Sequence, residues 1–187
     1  QPGADVVLQV GARERVGPDG VIEALGDAEA ERVAALVAEA GVESVAISLL
    51  FSYVDPAHEQ RIAEAIAKRL PGVHVSASHR VLPRFREYER TSTTVIDAYL
   101  APLLGRYLRS LSETARAAGL PAVEVVKSSG GAVDAAEAAG GGAWSVLSGP
   151  AGGAVGASLV ARLSGDGSAL GLDMGGTSCD VCVVEDG

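Results

Sequence analysis

The chain has 187 residues, of which 48% are hydrophobic and 4% aromatic, and its formal net charge is −9. The length indicates one domain or parts of two, and aliphatic side chains must fill most of the core. Negative charge without a basic stripe excludes the usual nucleic-acid partners, which bind through clustered lysine and arginine. No apolar run is long enough to span a bilayer and no secretory pattern is visible, so we expect a cytoplasmic protein without a membrane partner.

In the first half of the chain, the hydrophobic pattern predicts helices between short strands. A helix over about 28–40 has apolar residues at helical spacing, and Gly41 ends it. Asp55 as N-cap and Pro56 at the first helical position begin a second helix. The predicted strands of this half, in chain order, are residues 5–10, 13–16, 44–51 and 73–78.

A long helix is predicted over about 92–118, with Pro102 expected to kink it. Its buried side should carry the larger apolar residues, namely Ile96, Leu100, Leu103, Tyr107 and Leu111. Two further strands are expected at 122–127 and 144–147, with a small alanine-rich helix between them.

A last helix should open at Pro150 and bury Val155, Leu159 and Leu163. Strands that alternate with helices in this way predict an α/β fold, with a mostly parallel sheet and covering helices.

The segment 170–185 predicts a β-hairpin, because Gly175 and Gly176 separate two apolar runs. Polar side chains occur where the two strands converge, in a D-x-G-G-T-S-x-D pattern made by Asp173, Thr177, Ser178 and Asp180. Glycine amides and hydroxyls bind phosphate oxygens, and a carboxylate holds Mg²⁺ directly or through water. We therefore expect a phosphate loop in which Asp173 and Asp180 are catalytic and Asp173 faces the metal. The alternative is a plain Gly-Gly turn with solvated acids.

Two other glycine-bearing segments are candidate anion sites. The first opens a helix, whose N-terminus presents free amides and a positive dipole end, and its candidate residues are Ser148, Gly149, Gly152 and Gly153. Close helix packing is the alternative reason for these glycines. The second follows a strand, where open α/β sheets bind ligands, and contains Ser129, Gly130 and Gly131. An ordinary turn is its alternative.

The remaining chemistry-bearing residues give weaker signals. Cys179 and Cys182 lie in a strand context where positions i and i+3 face opposite sides, so we expect reduced, structural thiols with Cys182 in the core. The three histidines, His58, His74 and His79, are scattered, and no catalytic histidine constellation can be read from them. No G-x-S-x-G nucleophile elbow occurs, which excludes that serine hydrolase class.

The hairpin pattern resembles the phosphate hairpin of the sugar kinase/Hsp70/actin superfamily. Further segments narrow the resemblance to the hydantoinase A/5-oxoprolinase family. These segments, in chain order, are residues 15–20, 49–53 with 55–59, 86–90 with 93–94, 128–131 and 148–153. Departures from the family pattern are Ser129, where the family usually has Asn, and the two cysteines.

The resemblance implies a partial ribonuclease H-like, actin-like ATPase domain within an internal fragment of a longer protein. Residues 1–165 would be the remainder of a first actin-like domain with connecting helices, and 166–187 the first hairpin of the second. Glu87, Arg90 and Ser129 would lie on the substrate side.

The implied activity is ATP- and Mg²⁺-dependent opening of a small cyclic imide or lactam through phosphorylation of its carbonyl oxygen. A hydantoinase B-type subunit or domain would be the partner. A carboxylase subunit of the same family, a non-enzymatic ATP-dependent reactivase or chaperone, and a small-molecule kinase are the alternatives.

Overall fold

The computed structural model describes residues 8–146 and 148–185, and these form two compact units. The first unit runs to Arg106 and includes Gly141–Ala143, and the second comprises Tyr107–Gly140 and the residues from Trp144 onward. The strands are β1 Arg15–Gly17, β2 Gly20–Glu23, β3 Ser44–Ile47, β4 His74–Ala77, β5 Glu124–Val126, β6 Ala132–Asp134, β7 Ser168–Met174 and β8 Cys179–Glu185. The helices are α1 Asp27–Ala40, α2 Ala57–Arg69, α3 Ser78–Val81, α4 Glu87–Ala117, α5 Ala135–Ala138 and α6 Ser148–Ser164.

The first unit contains an antiparallel pair, β1–β2, and a parallel pair, β3–β4, in which Ser44 lies opposite His74 and Ile47 opposite Ala77. Helices α1 and α2 pack together beside the parallel pair, as expected for strand–helix–strand connections. Aliphatic side chains fill the core between them, as the low aromatic content requires. Its fully or nearly buried members include Leu25, Val33, Ala34, Val37, Ile47, Ile62 and Ile66.

In the second unit, β5 and β6 form a short antiparallel hairpin, and β7 and β8 form a longer one that packs against α6. The α6 face toward this hairpin consists of small residues. A side chain added at Gly171 would meet Ala157 and the sulfur of Cys182, so β7 and α6 approach closely at this point.

The predicted α/β class is confirmed, as are α1 and the terminal hairpin. Gly41 ends α1 with φ at 63°, the left-handed conformation that favours glycine. The predicted mostly parallel sheet is corrected: within the described residues, parallel pairing is confined to β3 and β4, and the other strand pairs are antiparallel. Part of the predicted strand 5–10 lies outside the described residues, and Leu8, Gln9 and Val10 are not in a strand.

Several element boundaries also differ from the prediction. The strand predicted at 44–51 ends at Ile47, and a turn that begins at Leu50 contains Phe51, whose φ of 55° is left-handed. The strand predicted at 144–147 is wrong over its described residues, since Ala143–Ser145 form one turn of 3-10 helix, and residue 147 lies outside the described residues. Strands β2 and β6 were not predicted, because runs of three or four residues carry too little periodicity to be recognised.

The buried side of α4 differs from the one predicted. Leu103, expected in the core, is 62% exposed, and the buried side of the helix carries mainly small and polar residues together with Leu108. Asp97 shows why: its carboxylate accepts hydrogen bonds from Ser76 Oγ at 2.6 Å and from the Ala143 amide at 2.8 Å. The helix starts at Glu87, earlier than predicted, and Pro102 lies inside it without ending it.

The face predicted for α6 is likewise exposed. Val155, Leu159 and Leu163 are 61%, 50% and 79% accessible, whereas Ala161 is buried. Apolar periodicity identified the helix, but small side chains decide which face contacts the hairpin. Among the described residues, no helix is both long and apolar enough to cross a membrane.

The start of α1 is fixed by a buried carboxylate. Glu29 accepts hydrogen bonds from the Arg32 guanidinium, from the Arg13 amide at 2.8 Å and from the Arg13 guanidinium. The hydrogen bond from Arg32, followed by those from Arg13, holds the pKa of Glu29 far below its ordinary range. These contacts attach the segment before β1 to the first turn of α1.

Stability should therefore fall with acid in a way that depends on Glu29. A carboxyl group whose pKa is lowered on folding stabilises the protein above its unfolded pKa of about 4.3, and this contribution declines as pH falls below that value toward the folded pKa. We expect Glu29→Gln to be destabilised at pH 6 and to lose less stability than wild type between pH 5 and pH 3. Urea unfolding across this range measures the difference. The control is Glu31→Gln on the exposed side of α1, and an unchanged pH profile for Glu29→Gln would contradict the assignment.

Candidate functional site

The β7–β8 hairpin brings two carboxylates together at its turn. Asp173 lies directly opposite Asp180 in the antiparallel register. The Gly175 amide donates to the Ser178 carbonyl at 2.9 Å, which closes the turn. Asp173, Asp180 and the turn residues Thr177 and Ser178 are all exposed, so their polar atoms are open to a ligand.

The opposed pair of acids is unfavourable without a counterion. Like charges directly opposite one another across two strands destabilise the pair, and a cation beside both removes that cost. Among the described residues, no group of three or more acidic, histidine or cysteine side chains could hold a metal ion alone. Mg²⁺ is usually held by one or two carboxylates together with phosphate oxygens and water, so Asp173 and Asp180 fit a metal that arrives with a nucleotide.

The N-terminus of α6 lies at the same end of the second unit as the hairpin turn. Gly171 packs against Ala157 and β7 runs back along α6 after a short loop. From Ala157 back to Ser148 the helix rises about 14 Å at 1.5 Å per residue, and from Gly171 to Gly175 the strand extends about 14 Å. The free amides at the start of α6 and the hairpin turn therefore extend to about the same level.

The glycines of α6 are not explained by packing within the described structure. A Cβ added at Gly149, Gly152, Gly153 or Gly156 would meet no described atom within 4 Å. Glycine inside a helix costs about 1 kcal/mol relative to alanine, so close packing, the alternative reason for these residues, is not supported here. The open space beside the first turns of α6 leaves room for a ligand or another part of the protein to approach closely.

The segment 128–131 is the turn of the β5–β6 hairpin and does not lead directly into a helix as predicted. Gly130 and Gly131 have φ values of 88° and 75°, which only glycine adopts easily. The Ser128 hydroxyl donates to the Trp144 carbonyl at 2.7 Å and is also bonded to the Val146 carbonyl, so its role is structural. Ser129 is exposed. A ligand role for Ser129, Gly130 and Gly131 stays a prediction.

The predicted cysteine environment is partly corrected. Cys179 is exposed and Cys182 is only half-buried, although Cys182 was expected in the core. Both are free thiols. Residues 179 and 182 lie three positions apart on β8 and face opposite sides of the hairpin, as expected.

A buried polar cluster in the first unit contains Arg90, which is fully buried. Its guanidinium donates to Ser78 Oγ at 2.8 Å, to the Leu49 carbonyl at 2.8 Å, to Ser52 Oγ and to the Glu87 carboxylate. Arg90 Nε has no hydrogen-bond partner among the described atoms. Burial lowers the pKa of Arg90, an effect that the nearby Glu59 carboxylate partly offsets.

Glu59 supplies the second charge of this cluster, and its four hydrogen bonds occupy both carboxylate oxygens. Oε1 accepts from the Leu49 amide at 2.8 Å and from Ser78 Oγ at 2.7 Å. Oε2 accepts from the His79 amide at 3.0 Å and pairs with His79 Nδ1 at 2.7 Å. Ser78 thus joins the buried anion to the buried guanidinium.

The cluster lies at the carboxyl ends of β3 and β4, the edge at which open α/β sheets bind ligands. Backbone strain accompanies it, since Phe51 and Arg86 have φ values of 55° and 80°, left-handed conformations that cost a side-chain-bearing residue free energy. Arg90 and Glu87 were predicted from the resemblance, but Glu59, Ser78 and His79 were not. One sequence signal pointed to this cluster, which is the concentration of charged and hydroxyl residues in the family-like segments 49–59 and 86–90.

Removing the buried cation should destabilise the first unit strongly. Arg90→Met leaves Glu59 as an uncompensated buried charge, and breaking a buried pair in this way typically costs about 3–5 kcal/mol. The matched control is Arg86→Met, which removes an exposed ion pair worth at most about 1 kcal/mol. Urea unfolding followed by circular dichroism gives both values, and equal losses would contradict a structural charge pair at Arg90.

Two family models match the chain: Hydantoinase/oxoprolinase over residues 90–187, and Hydantoinase/oxoprolinase N-terminal region over residues 2–70. The 5-oxoprolinase of Saccharomyces cerevisiae is 40% identical over 148 residues, which cover 79% of this chain and 11% of that protein. The acetophenone carboxylase gamma subunit of Aromatoleum aromaticum is 31% identical over 184 residues, covering 95% of this chain and 25% of that protein.

The crystal structure of ATP-dependent caprolactamase from Pseudomonas jessenii superimposes with a TM-score of 0.79 at 32% identity, over 91% of this chain and 25% of that one. The chain thus spans about a tenth to a quarter of the length of these relatives. Its α/β fold is that of the actin-like ATPases, as the hairpin indicated. From these matches and the shared fold, we conclude that the chain belongs to the hydantoinase/oxoprolinase family.

Proposed function

We propose that this chain is the part of an ATP-dependent amidohydrolase that binds the nucleotide phosphates at the β7–β8 hairpin. The observation that carries the proposal is the opposed pair Asp173 and Asp180 beside an open Gly-Gly turn. The nearby start of α6, with its unobstructed glycines, adds amide donors for an anion. The ATP-dependent relative supports the choice of nucleotide.

In this proposal each polar group has a defined part. Asp173 holds Mg²⁺ directly or through water, with Asp180 opposite, while Thr177 and Ser178 donate to phosphate oxygens beside Gly175 and Gly176. The metal neutralises charge on the transferring phosphoryl group. From α6, the amides of Ser148 and Gly149 face the same anion, and Gly152 and Gly153 leave room for it.

The reaction we propose is phosphorylation of the carbonyl oxygen of a small cyclic imide or lactam, followed by hydrolytic ring opening. The 5-oxoprolinase and caprolactamase relatives support this substrate class. We further propose that residues 166–187 begin a second actin-like domain, and that a hydantoinase B-type subunit or domain completes the enzyme in the cytoplasm. A relative that is named as a subunit supports the partner.

A carboxylase subunit is the second candidate, because the acetophenone carboxylase gamma subunit matches nearly the whole chain. Both reactions would use the same phosphate hairpin, so the hairpin does not distinguish them. Incubating the complete enzyme with ATP, bicarbonate and either a lactam or a ketone does: a ring-opened amino acid supports the hydrolase and a labelled carboxylate supports the carboxylase.

Asp173→Asn in the complete enzyme should abolish turnover while the protein stays folded. The substitution keeps the side-chain shape but removes the negative charge that holds the metal, which stabilises the transition state by several kcal/mol. Asp166→Asn is the control, because Asp166 is exposed in the loop at the opposite end of β7 and undergoes the same change of charge. Near-normal ATP-dependent activity in folded Asp173→Asn would refute the metal assignment.

The 187-residue chain alone should bind Mg-ATP weakly or not at all and should not hydrolyse it. The resemblance implies a cleft with one phosphate hairpin on each side, and the sequence contains one D-x-G-G-T segment. Charge-assisted hydrogen bonds contribute roughly 1.5–3 kcal/mol each, so losing three weakens binding by about three orders of magnitude or more. Calorimetry measures this, and micromolar binding by the isolated chain would contradict the two-hairpin cleft.

A further inference from the structure

The two faces of the β7–β8 hairpin have different surroundings. One face is open, and each of its larger aliphatic side chains is at least 60% exposed, namely Leu170, Leu172, Val181 and Val183. The opposite face packs against α6 and carries Gly171 and Cys182, which lie directly opposite one another. Residues two positions apart on a strand share a face, so Asp173 and Asp180 come next on that side, toward the turn. Both carboxylates of the proposed metal site therefore project from the side of the hairpin on which α6 lies.

Gly171 is the point at which β7 approaches α6 closely. A Cβ at position 171 would lie 2.5 Å from the Cys182 sulfur and 3.2 Å from the Ala157 Cβ. Favourable contacts between carbon atoms need about 3.5–4.0 Å, and a sulfur atom is larger than carbon. A single methyl group at this position must therefore displace the neighbours that now lie against the glycine.

Backbone conformation does not account for this glycine. The glycines that end helices in this chain, such as Gly41 and Gly165, have positive φ, and Gly171 does not. Gly171 lies inside a regular seven-residue strand, where glycine weakens the strand and often marks the close approach of another backbone. The position thus requires glycine for space, as helix–strand packing beside phosphate-binding turns does in other α/β proteins.

This contact sets the spacing of the proposed phosphate site. Measured along each element, the start of α6 and the hairpin turn both lie about 14 Å from it, on the same side. Moving α6 away from β7 at Ala157 would shift the Ser148 and Gly149 amides relative to Asp173. A displacement of about 1 Å lengthens a hydrogen bond beyond its useful range, so a ligand that bridges α6 and the hairpin would lose contacts.

We propose that Gly171 is a positioning residue for nucleotide binding. Together with Ala157 and Cys182, it holds the start of α6 and the acidic end of the hairpin at the spacing that a magnesium nucleotide bridges. Gly171 itself does not touch the ligand and acts through the two elements that do. This role rests on the proposed function and names the contact that sets the nucleotide affinity of that site.

Calorimetric titration of the complete enzyme with Mg-ATP tests the role. Gly171→Ala should raise the Kd about tenfold or more, the change expected when one charge-assisted hydrogen bond is lost. Ala157→Val widens the same contact from the helix side, so it should have the same effect and provides a second variant. Gly167→Ala is the matched control, because Gly167 lacks a positive φ and a Cβ there meets no described atom within 4 Å. Its Mg-ATP affinity should equal that of wild type.

A second substitution separates positioning from general destabilisation. In Gly171→Ala/Cys182→Ala the sulfur is removed, and the nearest neighbour of the new methyl group is the Ala157 Cβ at 3.2 Å, which must yield by only a few tenths of an ångström. We expect this double variant to recover most of the lost affinity, and Cys182→Ala alone to bind Mg-ATP as wild type does. A merely structural role for Gly171 would lower the free energy of unfolding and leave the Kd of the folded enzyme unchanged.

Two results would overturn the proposal: wild-type affinity in folded Gly171→Ala and Ala157→Val, or no recovery in the double variant. Asp173→Asn is titrated in parallel. If Asp173→Asn loses Mg-ATP binding while Gly171→Ala retains it, the positioning role fails and the hairpin site stands. If Asp173→Asn binds Mg-ATP normally, the hairpin site is refuted and the positioning role with it.

Discussion

The arrangement of the first unit depends on a buried polar cluster, in which Ser78 connects the Arg90 guanidinium to the Glu59 carboxylate. Burying either charge alone would cost several kcal/mol, and the cost is offset only because almost every polar atom of the cluster has a partner. Those partners come from the loop after β3, the start of α2, the residue after β4 and the start of α4. One cluster thus fixes four segments at the carboxyl edge of the parallel pair.

Two other features of the first unit occur beside this polar cluster. The loop after β3 contains the left-handed Phe51, and the Leu49 amide and carbonyl of the same loop are both bound by the cluster. Polar residues occupy inner positions of α4 near Arg90 and Asp97, and Leu103 lies outside, whereas Leu108 further along the helix is buried. In this part of the helix, satisfying buried polar groups took precedence over burying the most hydrophobic side chains.

The second unit also contains features that are unfavourable on their own. Asp173 and Asp180 lie opposite one another across the hairpin, and a side chain added at the α6 glycines 149, 152, 153 and 156 would meet no described atom. Each feature lowers stability unless a bound group uses it. Their occurrence at one end of the unit supports the proposed anion and metal site over an ordinary turn.

Sequence reasoning was most successful where local chemistry decides the structure. The glycine that ends α1 adopts a left-handed conformation, and two apolar runs flank the Gly175-Gly176 turn, so both elements were predictable. The buried face of α4 was not, because periodicity assumes that apolar residues face inward, whereas Asp97 and Arg90 take the inner positions. The pairing of Glu59 with His79 was also invisible, since twenty residues separate two side chains that meet only after β4 aligns with β3.

The most direct test of the proposed phosphate and metal site is a crystal structure of the complete enzyme with Mg²⁺ and a non-hydrolysable ATP analogue. We predict that Asp173 contacts the metal directly or through one water, and that phosphate oxygens lie within about 3.2 Å of amide or hydroxyl donors in the 175–178 turn. A nucleotide bound elsewhere, with no metal or phosphate at the β7–β8 hairpin, would contradict the assignment of this chain's function.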